Sequence, residues 1–341
     1  MKKTSRILVT GANGHVGFNL ARALHQQGYS VRATVRDRDD PAKTSRLNEA
    51  GLHDIVSLNI RDAETFEKVC QNIDILFHVA ATYRHHVADA HAEDELIKDS
   101  TEGVRSAMEA AAANKISKVI LTSSAVTLPF AKPGEPIPDE TDWDPNPALA
   151  YRCAKIAGER LAWEMAKKHD IHLATILPTG IIGPDFGKGT QSTDMILAMM
   201  KGAMRFGTVD RIAAFVDIRD VVSAHILAAE KGVSGRFVVN SSNPVSTPEL
   251  LSVMHSIDPA VPRPWFVIPK FAYGALPVFD WLLNRTMGFP RSMTRDFVSG
   301  FKTGNMVASN QRTKDILGWT DKIPLEQSLR DTMTELKQTP L

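Results

Sequence analysis

A chain of 341 residues, 43% hydrophobic and 23% charged, has the make-up of an ordinary folded protein with enough apolar mass for one large domain or two modest ones. Lys and Arg number 40 against 39 Asp and Glu, giving a net charge of +1, and no basic run exceeds Lys2-Lys3 or Lys167-Lys168, which excludes a nucleic-acid footprint and leaves small ligands. Two cysteines, Cys70 and Cys153, are too few for a disulfide framework, and the N-terminus meets a polar glycine loop after three apolar residues instead of a signal-peptide core, so the expected compartment is cytoplasmic.

The first predicted strand, Ile7 to Val9, runs into Thr10-Gly11-Ala12-Asn13-Gly14-His15-Val16-Gly17 and then into a helical pattern that ends near Leu24. Gly11 can turn the chain tightly, Gly14 lets backbone approach a pyrophosphate, and Gly17 lets the helix pack close to the strand. An anion held by Gly11, Asn13, Gly14, His15, Val16 and Gly17 then meets the free N–H groups of a helix start. Turns before helices also use glycine for steric reasons alone. The next β-patterned run, Ser30 to Val35, begins after Gly28 at the distance a βαβ unit requires.

From residue 6 to about 180 this alternation continues. Val56–Leu58, Ile73–Val79, Lys118–Thr122 and Leu173–Leu177 serve as strands, with helices rich in Ala, Leu, Glu and Lys such as Glu93–Ala113 and Ala148–Lys168 between them. Fully apolar strands separated by long helices predict an α/β fold, a Rossmann-type doubly wound parallel sheet covered on both faces. Ligands of such sheets gather at the carboxyl ends of the strands. That rule selects Asn59 and Ile60 after the third strand, Ala80, Ala81 and Thr82 after the fourth, and Thr122 at the end of the fifth.

After the second strand comes Val35-Arg36-Asp37-Arg38, with Lys43 seven residues beyond Arg36. An NAD site places a carboxylate at the end of this strand for the ribose hydroxyl, whereas NADP needs a cation for its extra phosphate. Val35 is apolar where the acid belongs and Arg36 follows, so NADP(H) is the expected cofactor, held by Arg36 and Lys43. The loop Tyr83-Arg84-His85-His86, with His91 beyond it, lacks a second ligand set at zinc spacing and predicts no metal site. It reads as a polar rim of the pocket in which Tyr83 meets substrate.

The fifth strand ends in Thr122-Ser123-Ser124, and twenty-seven residues after Ser124 comes Tyr151-Arg152-Cys153-Ala154-Lys155 on a helix entered through Pro145 and Pro147. Tyr151 and Lys155 share a helix face. A cation so close favours tyrosinate over phenol, and moving a pKa from ~10 to ~7 asks for about 4 kcal/mol of differential interaction. A tyrosine tuned in this way shuttles protons near neutral pH. Tyr-x-x-x-Lys by itself also arises by chance in helices.

With the glycine loop, Arg36, Ala80-Ala81, Ser124, Tyr151 and Lys155 in this order, the sequence resembles the extended short-chain dehydrogenase/reductase family, part of the NAD-dependent epimerase/dehydratase group. The resemblance runs almost end to end, through Leu177 to Pro184, Phe215 to Val221 and Leu317-Gly318-Trp319. It implies that Ser124 holds the substrate oxygen, Tyr151 exchanges its proton, and Lys155 tunes Tyr151 and holds the nicotinamide ribose. It also sets Pro178, Thr179, Gly180 and Ile181 against the nicotinamide. Val31 to Asp37 is similar to the NADPH-dependent branch of dihydroflavonol and cinnamoyl reductases. Two positions depart: Ser100 stands where many members carry asparagine, and Thr127, a candidate substrate contact, replaces a tyrosine common in sugar epimerases.

Past Pro184 the rhythm breaks into helices and short strands that resemble the family's smaller substrate lobe. The expected division is a dinucleotide-binding domain over 1–184, with 213–245 returning to it, and a smaller C-terminal α/β lobe over 185–341. Phe186, Met195, Met199, Phe206, Trp265, Phe266 and Tyr273 are candidates for an apolar pocket with few charges, or equally for core. Pro269, Lys270, Pro277 and Asp280 interrupt the apolar stretch Trp265–Leu283, which predicts a pocket-lining helix and no membrane span. Ala110 to Ala113 serves subunit contact or sheet packing equally, so a monomer and a homodimer both fit. The leading expectation is NADPH-dependent reduction of a largely apolar aldehyde or ketone, with the small-molecule carbonyl compound as partner. Alternatives are a sugar-nucleotide epimerase/dehydratase, a 3β-hydroxysteroid-type dehydrogenase, or a non-catalytic NADP-sensing regulator.

Overall fold

The computed structural model describes residues 1–80, 90–147, 149–287, 298 and 304–338. In chain order the first half comprises β1 (Arg6–Val9), α1 (His15–Gln26), β2 (Ser30–Val35), α2 (Pro41–Glu49), β3 (Ile55–Ser57), α3 (Ala63–Val69), β4 (Ile75–His78), α4 (Ala90–Ala113), β5 (Lys118–Thr122), α5 (Ala150–His169) and β6 (His172–Pro178). These strands, joined by β11 (Gly235–Val239), form a seven-stranded sheet in the order β11-β6-β5-β4-β1-β2-β3. Every pairing in it is parallel.

The central strands β1, β4 and β5 carry apolar side chains on both faces, as a sheet covered on two sides requires. Ile7 and Val9 point into a core shared with α1 and the later helix at 218–231, while Leu8 points into a second core shared with α3, α4 and α5. Phe77 and Leu76 divide in the same way. The order reverses between β1 and β4, so their carboxyl ends open a crevice in front of the glycine turn. Local signals set the helix ends. Asp40 caps α2 ahead of Pro41, Asp62 caps α3, and α5 stops at Asp170, which adopts a left-handed φ of +54°.

Beyond β6 the chain forms β7 (Gly180–Ile182), α6 (Gln191–Met200), β8 (Thr208–Val209), β9 (Ile212–Ala213), β10 (Phe215–Asp217) and α7 (Ile218–Lys231) before β11, then β12 (Val245–Ser246), α8 (Thr247–Ile257), β13 (Val267–Ile268) and α9 (Leu276–Met287). Helices Gln311–Leu317 and Leu325–Gln338 follow. A third core joins Ile182, Phe186, Ile196, Met199, Leu250, Met254 and Met333. Helix α7 packs on the large sheet, and Leu317 and Trp319 also belong to that sheet's core.

The stretch Trp265–Leu283 departs from the single pocket-lining helix expected of it. Pro269 has no N–H to extend the pairing of β13, so a 3₁₀ turn over Lys270–Ala275 precedes α9, and the aromatic side chains split between interior and surface. Tyr273 is buried, whereas Phe206, Trp265 and Phe266 are exposed and line no interior pocket. Among the described residues no helix is long and apolar enough to cross a membrane.

Candidate active site

The turn after β1 is shaped by close contacts. Gly11 has a φ of +65°, and a Cβ there would lie 2.9 Å from Ala80 Cα, just past β4. A Cβ on Gly17 would fall 2.1 Å from the Gly11 carbonyl oxygen, so only glycine lets α1 sit on the turn. Gly14 differs. The nearest atom to a Cβ there is the Gly11 oxygen at 3.4 Å, an ordinary contact, so no clash within the chain calls for glycine. Asn13 and Gly14 are exposed at this lip. Gly14 caps α1 without a side-chain hydrogen bond, and no acid occupies the first turn, which leaves the positive helix end facing outward.

His15 is placed otherwise than a phosphate ligand would be. Its ring is buried, bonds through Nε2 to the Pro184 carbonyl at 3.0 Å and meets Phe186 edge-on at 5.9 Å. Burial pulls its pKa down to about 4, so the ring is neutral at pH 7 and only the backbone of His15 faces an anion. Val16 packs against the adjoining core. Phe186, a candidate substrate contact, lies fully buried in the third core and has no surface to offer; Met195 packs against the same core.

At the end of β2 the one acid is turned aside: an Asp37 carboxylate oxygen accepts the Asp39 N–H at 3.0 Å. Arg36 is exposed and makes no ion pair among the described residues. Lys43 is held by Asp40 at 2.6 Å, so of the two expected phosphate ligands Arg36 is the uncommitted one. Asn59 folds its side-chain oxygen onto the Arg61 N–H, and Ile60 packs against Gly103. Past β6, Thr179 Oγ1 is buried with no hydrogen-bond partner among the described residues. Pro178 ends the β6–β11 pairing, and Gly180 and Ile181 pair with β10, Gly180 fitting closely against Phe215. An open glycine lip at a helix N-terminus together with an orphaned hydroxyl across the crevice suits a dinucleotide spanning the switch point. Ala81, Thr82, Tyr83 and the histidines at 85 and 86 lie outside the described residues.

Ser124 follows β5 in extended conformation and caps the 3₁₀ turn Ala125–Thr127. Its hydroxyl shares a hydrogen bond with the phenol of Tyr151, from the first turn of α5. One turn on, Lys155 Nζ donates to the Thr122 carbonyl at 3.5 Å. The Thr122 hydroxyl points to the opposite face, 2.8 Å from His225 Nε2 on α7, so a ligand in the crevice meets its backbone only. Burial raises the Tyr151 pKa to about 12 against the opposing pull of the Ser124 bond, and lowers that of Lys155 to about 8 despite Glu159. The expected lowering of Tyr151 by Lys155 is therefore not found. Desolvation outweighs the Ser124 bond, the Lys155 ammonium is directed to the Thr122 carbonyl, and Tyr151 stands as a neutral proton donor.

The strongest feature missing from the sequence reading is Glu159, four residues past Lys155 on the same face of α5. Its buried carboxylate accepts from Ser123 Oγ at 2.6 Å, Thr175 Oγ1 at 2.7 Å and Arg236 Nε at 2.9 Å. Arg236 also donates to Thr127 Oγ1 at 2.8 Å, and that hydroxyl donates to the Ser124 carbonyl at 2.9 Å. Thr127 is thus fully buried and committed, with no surface for a substrate; it steadies the backbone of Ser124. Arg152, bonded to Asp144 and to the Leu128 carbonyl, fastens the same loop to α5. The period of four from Tyr151 through Lys155 to Glu159 was the available signal.

A cavity of about 30 Å³, lined by Lys155, Glu159, Ser123, Ser100 and His78, adjoins this network. Ser100 spends its hydroxyl on the Ala154 carbonyl at 3.0 Å, tying α4 to α5. Arg211, also overlooked, is a buried guanidinium 5.0 Å from the Phe130 ring centroid, its pKa brought down to about 10 by burial and by Arg152.

Residues 7–240 match the model of the NAD dependent epimerase/dehydratase family. Among curated proteins, an anthocyanidin reductase of Vitis vinifera is 33% identical over 73% of this chain and 79% of its own, and a cinnamoyl-CoA reductase of Medicago truncatula is 34% identical over 67% and 74%. The solved structure of gox2253 superposes with a TM-score of 0.81 at 26% identity, covering 98% of both chains. The parallel sheet flanked by helices agrees with these likenesses, and the chain belongs to the NAD dependent epimerase/dehydratase family, as an oxidoreductase of its extended short-chain dehydrogenase/reductase branch.

Proposed function

We propose that this protein reduces a small, largely apolar aldehyde or ketone to an alcohol with NADPH. The observation that carries the reading is the hydrogen bond between the Ser124 and Tyr151 hydroxyls, with Lys155 one turn beyond on the same helix face. Gly11, Gly14 and Gly17 with the backbone of Asn13, His15 and Val16 would hold the pyrophosphate. Arg36, assisted by Lys43, would meet the 2′-phosphate, and Asn59, Ile60, Ala80, Thr122 and 178–181 would border the rest. When bound, NADPH supplies the hydride that reaches the carbonyl carbon. Ser124 and Tyr151 hold the carbonyl oxygen between two donors, so charge developing on it is stabilised where it appears. Tyr151 then gives up its proton, which its high pKa keeps in place until that oxygen becomes basic. Lys155 in its charged form eases that transfer by stabilising the resulting phenolate.

The division expected from sequence belongs to this reading: 1–184 with 213–245 on the cofactor side, 185–341 mainly on the substrate side. It is supported by the separate third core and by β11 joining the large sheet. Cofactor oxidation measured with a carbonyl panel tests the activity. Tyr151→Phe should lower turnover by about 10² to 10⁴ while NADPH binding persists. Retained turnover, or tighter binding of NADH than of NADPH, overturns it. Arg211 favours a second reading, because a buried guanidinium beside Phe130 suits an anionic substrate such as a sugar nucleotide. Product analysis separates the two, since an epimerase returns its cofactor unchanged.

A further inference from the structure

Helix α9 is inside out. Asp280 is buried in it, whereas its neighbours Phe279 and Trp281 face solvent, Phe279 at 60% exposure. On the preceding 3₁₀ turn Phe271 is 91% exposed, and Trp265 is 68% exposed where it meets Phe206 edge-on at 5.0 Å. The segments that carry these side chains adjoin one another. The Trp265 N–H donates to the Arg205 carbonyl at 2.9 Å, β13 pairs with β8, and the 3₁₀ turn leads directly into α9. Exposed apolar residues are ordinary when scattered; a concentration of large exposed rings on adjoining segments points to an interaction site.

The charge around it is one-sided. Among the described residues around it Lys201, Arg205, Arg263, Lys270 and Arg285 are all exposed against one exposed acid, Asp210, in a chain whose total charge is only +1. Arg285 leans over the Trp281 ring, 5.9 Å from its centroid. We propose that this face docks on an anionic lipid bilayer, its aromatic side chains entering the boundary between headgroups and acyl chains and its five cations meeting the headgroups. Protruding aromatic residues ringed by Lys and Arg are the chemistry of interfacial binding. A second copy fits poorly, because an isologous contact sets the same five cations against each other. The inference does not depend on the reductase reading.

The test is co-sedimentation of the full chain with vesicles of mixed phosphatidylglycerol and phosphatidylcholine, and with phosphatidylcholine alone. Binding is expected to the anionic vesicles only and to weaken with added salt. Arg263→Ala and Lys270→Ala should each lower partition about fivefold. Phe271→Ser combined with Trp281→Ser should abolish it while leaving turnover unchanged. Sedimentation with neither vesicle, or equal and salt-insensitive binding to both, overturns the proposal. So does a dimer in lipid-free buffer that the same double variant converts to monomer.

Discussion

The crevice side of the large sheet and the outer face of α9 treat polarity in opposite ways. Beneath Ser124 charged groups are buried and committed, with Glu159 and Arg236 only 1% and 8% exposed and bonded to hydroxyls and carbonyls around them. On the outer face apolar rings stand in water, and among the described residues Lys201, Arg205, Arg263, Lys270 and Arg285 make no ion pair. The first arrangement fixes geometry at the cost of desolvation; the second keeps surface in reserve for contact. Breaking the buried arrangement should therefore have the largest effect. Glu159→Ala leaves Arg236 buried without its counter-charge and should cost about 3–5 kcal/mol, read as a fall in the urea midpoint. Glu159→Gln, which keeps an acceptor for Ser123 and Thr175, should cost less and lower turnover through the Thr127–Ser124 contact. Equal stability of wild type and Glu159→Ala would erase the contrast.

Acid should attack the same region. His15, His78 and His225 all lie on the large sheet or its helices, and burial depresses each to about 4. Below about pH 6.5 the unfolded chain takes up these protons while the native chain does not until about pH 4, so stability is fully present above the upper value and is lost as pH falls through the window. Each histidine contributes up to about 3 kcal/mol to that loss. Denaturant midpoints across the window should rise steeply with pH; a flat profile would mean that the rings are hydrated in the native state.

Legibility divided along the same line. The parallel sheet could be read because apolar runs and glycine spacing are local signals, and the β5 boundaries, Lys118 to Thr122, coincide with those expected. That Ser124, Tyr151 and Lys155 lie together at the end of β5 was legible because strand ends and helix periodicity say where side chains gather. Phe186 and Thr127 were misjudged because a residue type near a strand end does not reveal which way its side chain packs. The Glu159–Arg236 pair joins residues 77 apart, a separation no periodicity spans. The aromatic stretch 265–283 was ambiguous because the same rings serve a core or a surface, and only the turn imposed at Pro269 decides which.

Cofactor choice gives an intermediate effect. Arg36 stands uncommitted past β2 while Lys43 is tied to Asp40, so the two should differ on removal. Arg36→Ala should weaken NADPH binding about tenfold or more, the range of a hydrogen bond to a charged group, with NADH unaffected. Lys43→Ala should do less. Equal losses for both nucleotides would assign Arg36 to the fold and not to the phosphate.

The smallest effect is expected of Phe271, which shares one 3₁₀ turn with Tyr273, a residue whose removal should cost as much as a core substitution does. Tyr273 is 4% exposed, packs beside Val209 and accepts the Asp210 N–H at 3.1 Å, so Tyr273→Ala removes both packing and a partner and should cost about 3–5 kcal/mol. Phe271→Ser removes a ring that touches mainly water and should shift stability by no more than about 0.5 kcal/mol in lipid-free buffer. Thermal melts of the two variants side by side make the measurement. Were Phe271→Ser to destabilise the chain as a core substitution does, and by an amount that grew with protein concentration, the ring would be covered in solution by another copy, and the outer face of α9 would be a buried interface instead of one held open.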